Sequence, residues 1–321
     1  MRDSTHRSYA HHIQRYLVPM LGGRQLADLT TPDVNALTAQ LGKGKDRGGF
    51  GLAPQTVRLV HATLRVALAD AVRWGLVPSN VAVGAQLPQR RRPEIKVWDA
   101  TQLRTFLEAT EKHALGPVFA LIAHTGLRRG EAVGLRWQQV DLDRGRLLVD
   151  HQLVEQSYHL VTSGEPKTRR GHRVISLDSG TVDLLRRHRQ RQDEQRSASG
   201  LSGTATYVFT RSDGEHLAPH LLTQSLPRLA RQAGLPEIRL HDLRHTHATL
   251  GLAAGVPAKV MADRLGHSSV LLTLDTYSHV SPALDGAAAD LIAGLISGGG
   301  RPLCDPDVTH KAMKTTDEGD G

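Results

Sequence analysis

The strongest constraint on the fold is a break near residue 90. Leu87-Pro88-Gln89-Arg90-Arg91-Arg92-Pro93-Glu94 cannot continue a helix, because each proline fixes its own φ and bars the residue before it from helical geometry. Three adjacent arginines keep the same stretch in water, so residues 86–96 read as a basic linker between two domains. Ahead of it the apolar spacing is helical throughout. Tyr9, Ile13, Tyr16 and Leu17 recur at helical intervals and stop before Gly22-Gly23. Thr31-Pro32 opens a second helix through Val34, Leu37 and Leu41, with proline in the favoured first turn. A Gly/Lys-rich loop, Gly42 to Gly51, leads to a long helix from Gln55 to about Trp74, striped by Val57, Val60, Leu64, Leu68, Ala71 and Val72.

Behind the linker, Asp99-Ala100-Thr101-Gln102 has the form of a helix N-cap with a glutamine three residues on, so a second domain opens near Val97. Helices are expected over Leu115–His124, ended by Gly126, and over Glu131–Trp137, Val182 to about Arg196, Pro219–Ala233, His241–Ala254, Pro257–Leu265 and Ser269–His279. Short strands are expected at Leu147–Val149, Gln152–Tyr158 and Val174–Leu177, and a further turn after Tyr207–Thr210. Ala287–Ile296 is a last short helix before a Gly-rich polar tail expected to be disordered. The fold class is therefore mainly α with a small β-sheet. A helical domain (1–85), the linker (86–96), an α+β domain (97–282) and a C-terminal helix with its tail (283–321) follow in order.

Composition narrows the partners. Residues 1–96 hold 14 Lys/Arg against 6 Asp/Glu, whereas the rest of the chain carries 26 of each sign, so the whole net charge of +8 sits in the first third. That segregation suits a face laid against a polyanion, although a solubility charge is the plainer alternative. One cysteine, Cys304, leaves no internal disulfide and no thiolate zinc cluster, and points to a reducing cytoplasm. No stretch approaches the ~20 apolar residues of a membrane span, and the N-terminus lacks an apolar signal region. The Gly42–Gly51 loop lacks the Gly-Lys-Ser/Thr of a P-loop, so ATP has no seat there.

The residues that carry chemistry lie in the second domain. Arg128 follows the break at Gly126 and can project from a turn; Glu131 either braces it or forms an ordinary helix-surface pair. His241 and Arg244 share one face near a helix start, where anions are favoured, though simple capping would place them similarly. His267 follows Gly266 at a helix end. His241 and His245 have the spacing of a metal pair, but no carboxylate completes it and two arginines would repel a divalent ion, so no metal is expected. His245 and His247 are read as packing or surface residues. Tyr277 is one of five tyrosines, and Lys167 lies in a basic turn, Gly-Glu-Pro-Lys-Thr-Arg-Arg-Gly-His-Arg.

Each residue alone has a structural reading; the ordered set resembles the tyrosine recombinases, specifically phage-type integrases. The motifs are Thr125-Gly126-Leu127-Arg128-Arg129-Gly130-Glu131, Pro166-Lys167-Thr168, His241-Asp242-Leu243-Arg244-His245-Thr246, Leu265-Gly266-His267, and Leu274-Asp275-Thr276-Tyr277-Ser278-His279. The resemblance spans Ser4 to about Pro282. It implies a helical, SAM-like core-binding domain and a catalytic domain of the tyrosine recombinase type, closing on duplex DNA as a clamp. It further implies that Tyr277 attacks the scissile phosphate to give a 3′-phosphotyrosyl link, while Arg128 and Arg244 hold the non-bridging oxygens. His241 would assist proton removal, Lys167 protonate the leaving 5′-oxygen, His267 bond the phosphate and Glu131 orient the arginines. No metal, ATP or other cofactor is needed.

Candidate DNA-backbone contacts are Lys43, Lys45, Arg90, Arg91, Arg92, Arg169 and Arg170. Implied partners are recombination sites in double-stranded DNA, three further copies forming a homotetramer on paired sites, and accessory DNA-bending or directionality factors, with the protein cytoplasmic and nucleoid-associated. Many phage integrases carry an arm-binding domain ahead of the core-binding helices; this chain opens almost inside those helices, so an arm-less type or a truncated product is expected. Competing readings are a type IB topoisomerase and a catalytically idle DNA-binding remnant.

Overall fold

A computed structural model of the chain describes residues 3–90, 95–157, 160–164, 171–200 and 203–267. The chain divides into two compact units, Met1–Glu94 and Ile95–Gly321.

The first unit is helical. Helix α1 (Asp3–His12) runs through a π-helical segment, Ile13–Leu17, into α2 (Val18–Leu21), followed by α3 (Thr31–Gly42) and α4 (Pro54–Arg73). Thr30 and Asp33 form a capping box, the Thr30 amide donating to Asp33 Oδ2 at 3.0 Å, with Pro32 in the first turn of α3. Val34, Leu37 and Leu41 of α3 meet Val57, Val60 and Leu64 of α4 in one apolar core. The stripe expected along α1 is only partly right: Leu17 is buried, but Ile13 is 39% exposed. A π segment spends an extra residue per turn and rotates the stripe out of phase with a 3.6-residue period.

The second unit contains α5 (Ala100–Thr110), α6 (Gly116–Thr125), α7 (Arg129–Gly134), β1 (Val140–Asp141), β2 (Arg146–Val149), β3 (Gln152–Ser157), β4 (Leu160–Gly164), β5 (Arg173–Ser176), α8 (Ser179–Ala198), α9 (Pro219–Gln232), α10 (Leu240–Ala253) and α11 (Ala258–Leu265). Asp99 and Gln102 close α5 reciprocally, at 2.8 and 3.1 Å. Strands β1, β2 and β5 form an antiparallel sheet in that order, with Leu147 opposite Ile175, and β3 and β4 form a separate hairpin. Helix α6 is apolar all round up to His124; Val118, Phe119, Leu121 and Ile122 are all buried, as expected of a helix that threads a core. Its C-terminal end therefore delivers the Gly126–Arg128 turn to the interior of the unit.

Local expectation and fold part company after that turn. Helix was expected over Glu131–Trp137, but α7 stops at Gly134, Leu135 is extended, and Trp137–Gln139 forms a 3-10 turn. Tertiary pairing takes over the backbone groups: Val208 N–H donates to Leu135 O and Trp137 N–H to Thr206 O. Two glycines let α7 lie directly on β3, since a Cβ at Gly130 would stand 2.4 Å from Leu153 O and one at Gly134 2.9 Å from Leu153 N. Helix α8 starts three residues earlier than expected because Asp178 caps it, accepting from Thr181 N–H at 2.9 Å. Strands β1 and β4 were not anticipated. Tyr158, the expected helices at Ser269–His279 and Ala287–Ile296, and the tail lie outside the described residues.

Candidate active site

The site is built on two helix ends. Gly126 terminates α6 in the left-handed region at φ +67°, which only glycine adopts cheaply, and the chain turns through buried Leu127 to Arg128 at the N-cap of α7. Gly266 ends α11 in the same way at φ +66°. There the Gly266 amide bonds Asp263 O and the His267 amide reaches back to Ala262 O at 2.9 Å, a Schellman closure. The closure leaves the last carbonyls of α11 free to accept from elsewhere.

Three arginines take them in succession. Arg173 Nε donates to Arg264 O at 2.7 Å, Arg244 Nη2 to Leu265 O at 2.6 Å, and Arg128 Nη2 to Gly266 O at 2.9 Å. Arg244 is 2% exposed and also donates to Gly126 O at 2.6 Å, so one guanidinium ties together the ends of α6 and α11. The helix dipoles favour cations at both ends.

Glu131 joins the set from below. Its carboxylate, 3% exposed, accepts from Arg128 Nη1 at 2.7 Å, from the Arg128 amide at 2.9 Å, and from Arg173 at 2.9 and 3.2 Å. Burial by itself would raise the carboxyl pKa; the hydrogen bonds and charge of Arg173, with Arg128 beside it, outweigh that and hold it at about 2. Of the two readings open for Glu131, the brace is what the geometry shows. Arg173 escaped sequence reasoning, although a signal existed: it shares the inward parity of β5 with buried Ile175, and an arginine at a core-facing position needs a partner.

The histidines crowd against these cations. Desolvation first, then the Arg244 charge, lowers the pKa of His241. His267 is held at about 4 by desolvation and by Arg244 and Arg128, and His245 at about 4 by desolvation and by His241, with which it stacks edge-on at 4.7 Å between centroids. His245 and His267 are therefore neutral at pH 7, the lowering at His241 favours its neutral form, and a neutral imidazole can accept a proton. His247 serves packing: its Nδ1 meets Ala123 O at 2.9 Å, and Arg264 Nε donates to its Nε2 at 3.2 Å.

Arg128, His241 and Arg244 line one cleft of about 320 Å³, with Arg129, Arg239 and Thr223 around it. Arg239 is pinned by Asp242 through two side-chain bonds of 2.9 and 2.7 Å while most of it stays in solvent. Among the described residues no group of three or more His, Cys, Asp or Glu is placed to hold a metal ion. Of the remaining candidates, Lys43, Lys45 and Arg90 are exposed on the first unit. Tyr277, Lys167, Arg91, Arg92, Arg169 and Arg170 lie outside the described residues.

The phage integrase family model matches residues 96–283, more than half of the chain. An XerC-like tyrosine recombinase of Caldanaerobacter subterraneus subsp. tengcongensis is 29% identical over 251 residues, covering 72% of this chain and 64% of its own length. The chain thus spans less than two thirds of that relative. The integrase of Mycobacterium phage L5 is 27% identical over 305 residues, 92% of this chain and 76% of its own. The fold is similar to that of the Tn1549 transposon integrase solved in complex with transposon right end DNA, with a TM-score of 0.75 at 20% identity, covering 91% of this chain and 94% of that one. It is similar also to a lambda integrase dimer bound to a COC′ core site, with a TM-score of 0.62 at 18% identity over 86% and 89% of the two chains. By its motifs and its family match, the chain belongs to the phage integrase family of tyrosine recombinases.

Proposed function

We propose that the chain is a site-specific DNA recombinase that cleaves and rejoins DNA through a 3′-phosphotyrosyl intermediate, without metal or ATP. The supporting observation is the convergence of Arg128 and Arg244, from distant segments, beside His241 at one cleft. A guanidinium offers paired donors to phosphate oxygens, and two of them offset the charge that gathers in a pentavalent transition state. Tyr277 Oη bonds to phosphorus as the bond to the 5′-oxygen breaks. The phenolic proton passes to neutral His241, and Lys167 supplies a proton to the departing 5′-oxygen. His267 donates to a non-bridging oxygen and Glu131 keeps Arg128 in place. The phosphate ester is conserved, so a 5′-hydroxyl of a partner strand can attack it and reseal without ATP.

Tyrosine's ordinary pKa is ~10, so the reaction at neutral pH depends on the base and on the cationic surround. Lys43, Lys45 and Arg90 to Arg92 on the first unit, and Arg169 and Arg170 on the second, would track the phosphate backbone, four copies would assemble on paired sites, and accessory DNA-bending factors would set direction. The protein would act on nucleoid DNA in the cytoplasm; no helix among the described residues is long and apolar enough to cross a membrane.

The test is a duplex carrying the target site with a nick beside the cleavage point, which traps the covalent adduct by letting the freed end diffuse away. Wild type forms the adduct fully in EDTA, and Tyr277→Phe binds the duplex but forms none. Loss of the adduct on chelation moves the reading to a metallonuclease, and an adduct with Tyr277→Phe removes the nucleophile. Supercoil relaxation without exchange between sites supports a topoisomerase.

A further inference from the structure

Arg173 has no part in the steps above, yet it is among the most constrained charged side chains in the unit. Its side chain is 7% exposed, and it makes four bonds that use all three of its nitrogens. Nη1 and Nη2 meet the two oxygens of Glu131 at 3.2 and 2.9 Å, Nη1 also meets Gly171 O at 3.2 Å, and Nε meets Arg264 O at 2.7 Å. The acceptors come from α7, from the end of α11 and from the approach to β5.

We propose that Arg173 is a positioning residue of the strand-cleaving centre: it sets the Glu131 carboxylate that holds Arg128, and the end of α11 that receives Arg244 and leads into His267. The inference rests on the recombinase reading above. It has a geometric and an electrostatic part. Geometrically, a planar fork spans acceptors on separate elements at fixed angles, which an ammonium on a flexible stem cannot. Electrostatically, a buried carboxylate 2.7 Å from Arg128 would by itself cancel the charge that Arg128 offers to a phosphate. Arg173 on the far side of the carboxylate leaves the trio at net +1. Arg128 then keeps its pull on phosphate oxygens and Glu131 keeps its orienting bonds.

The experiment measures DNA affinity, thermal unfolding and the single-turnover rate of adduct formation on the nicked duplex, for the full chain. Arg173→Met is expected to bind DNA within about threefold of wild type and to form adduct ~100-fold more slowly, the lower end of the loss for one transition-state donor put out of place. Adding Glu131→Gln to Arg173→Met is expected to recover ~10-fold of that rate, because it removes the carboxylate that would otherwise cancel the charge of Arg128 while leaving an amide oxygen able to accept from it. A merely structural arginine would give the opposite result, a further loss in the double variant that follows the fall in melting temperature. Where Arg173→Met does not fold, Arg173→Lys decides: it keeps the charge and loses the fork, and is expected to be ~10-fold slow at unchanged affinity, the scale of one lost hydrogen bond. A wild-type rate in Arg173→Lys, or no recovery in the double variant, overturns the proposal. Failure of wild type to form any adduct overturns the recombinase reading instead.

Discussion

Gly126→Ala tests how the site is held, and its cost can be worked from two independent parts. The residue sits at φ +67°, where an L side chain is strained by about 1–2 kcal/mol. Its new Cβ would also stand 2.6 Å from Leu265 Cδ2 and 2.8 Å from His247 Cδ2. Leu265 is fully buried and His247 is bonded to Ala123 O, so neither side chain has room to yield, and overpacking of this kind costs about 1–3 kcal/mol. The sum is about 2–5 kcal/mol, or a fall of roughly 4–20 °C in melting temperature for a unit of this size. Gly234→Ala supplies the control, with φ +71° and nothing within 4 Å of the added Cβ, so it carries the strain alone, about 1–2 kcal/mol. Chemical denaturation of both variants against wild type isolates the packing contribution. Because Gly126 O also accepts from Arg244, adduct formation should fall in Gly126→Ala and not in Gly234→Ala. Equal losses of stability in the two variants would falsify the claim that the α6 and α11 ends are packed to contact.

Acidification should destabilise the second unit in two windows. His245, His247 and His267 are held at about 4 in the folded state and titrate near 6.5 when unfolded, so the unfolded chain binds more protons between those values, and the stability present above pH 6.5 is lost as pH falls toward 4. Glu131, at about 2 against an ordinary 4.5, gives a second loss between those values. A melting temperature flat from pH 6.5 to 4 contradicts the first window. Replacing Lys43 and Lys45 with alanine should weaken DNA binding alike for all sequences and lower the slope of log affinity against log salt by about 2; an unchanged slope removes them from the interface. Deleting residues after Pro282 should weaken pairing of two sites more than binding to one, and unimpaired recombination excludes that segment from assembly.

What could be read along the chain was whatever short-range physics controls. The stripe of α4, the proline in the first turn of α3, the Asp99–Gln102 cap, and the glycine stops at Gly126 and Gly266 each depend on residues within a turn or two, and each was legible. Arg128, Glu131, His241, Arg244 and His267 were nameable because their motifs are local strings. Their mutual geometry was not. Arg128 and Gly266 O are 138 residues apart, and Arg244 and Gly126 O 118 apart, separations at which no periodicity carries information.

The fold alone decided the early end of α7, where pairing with Tyr207 and Val208 replaces helical hydrogen bonds, and the rotated stripe of α1, where a π segment shifts the phase. It alone identified Arg173, whose need for a partner shows only when β5 turns its side chain inward against Glu131. Among the described residues, sequence by itself thus determined where the main helices lie and which side chains are chemically able. Tertiary structure decided that three arginines meet three successive carbonyls at the end of one helix, because a cation is positioned by whichever distant acceptors the fold leaves unpaired.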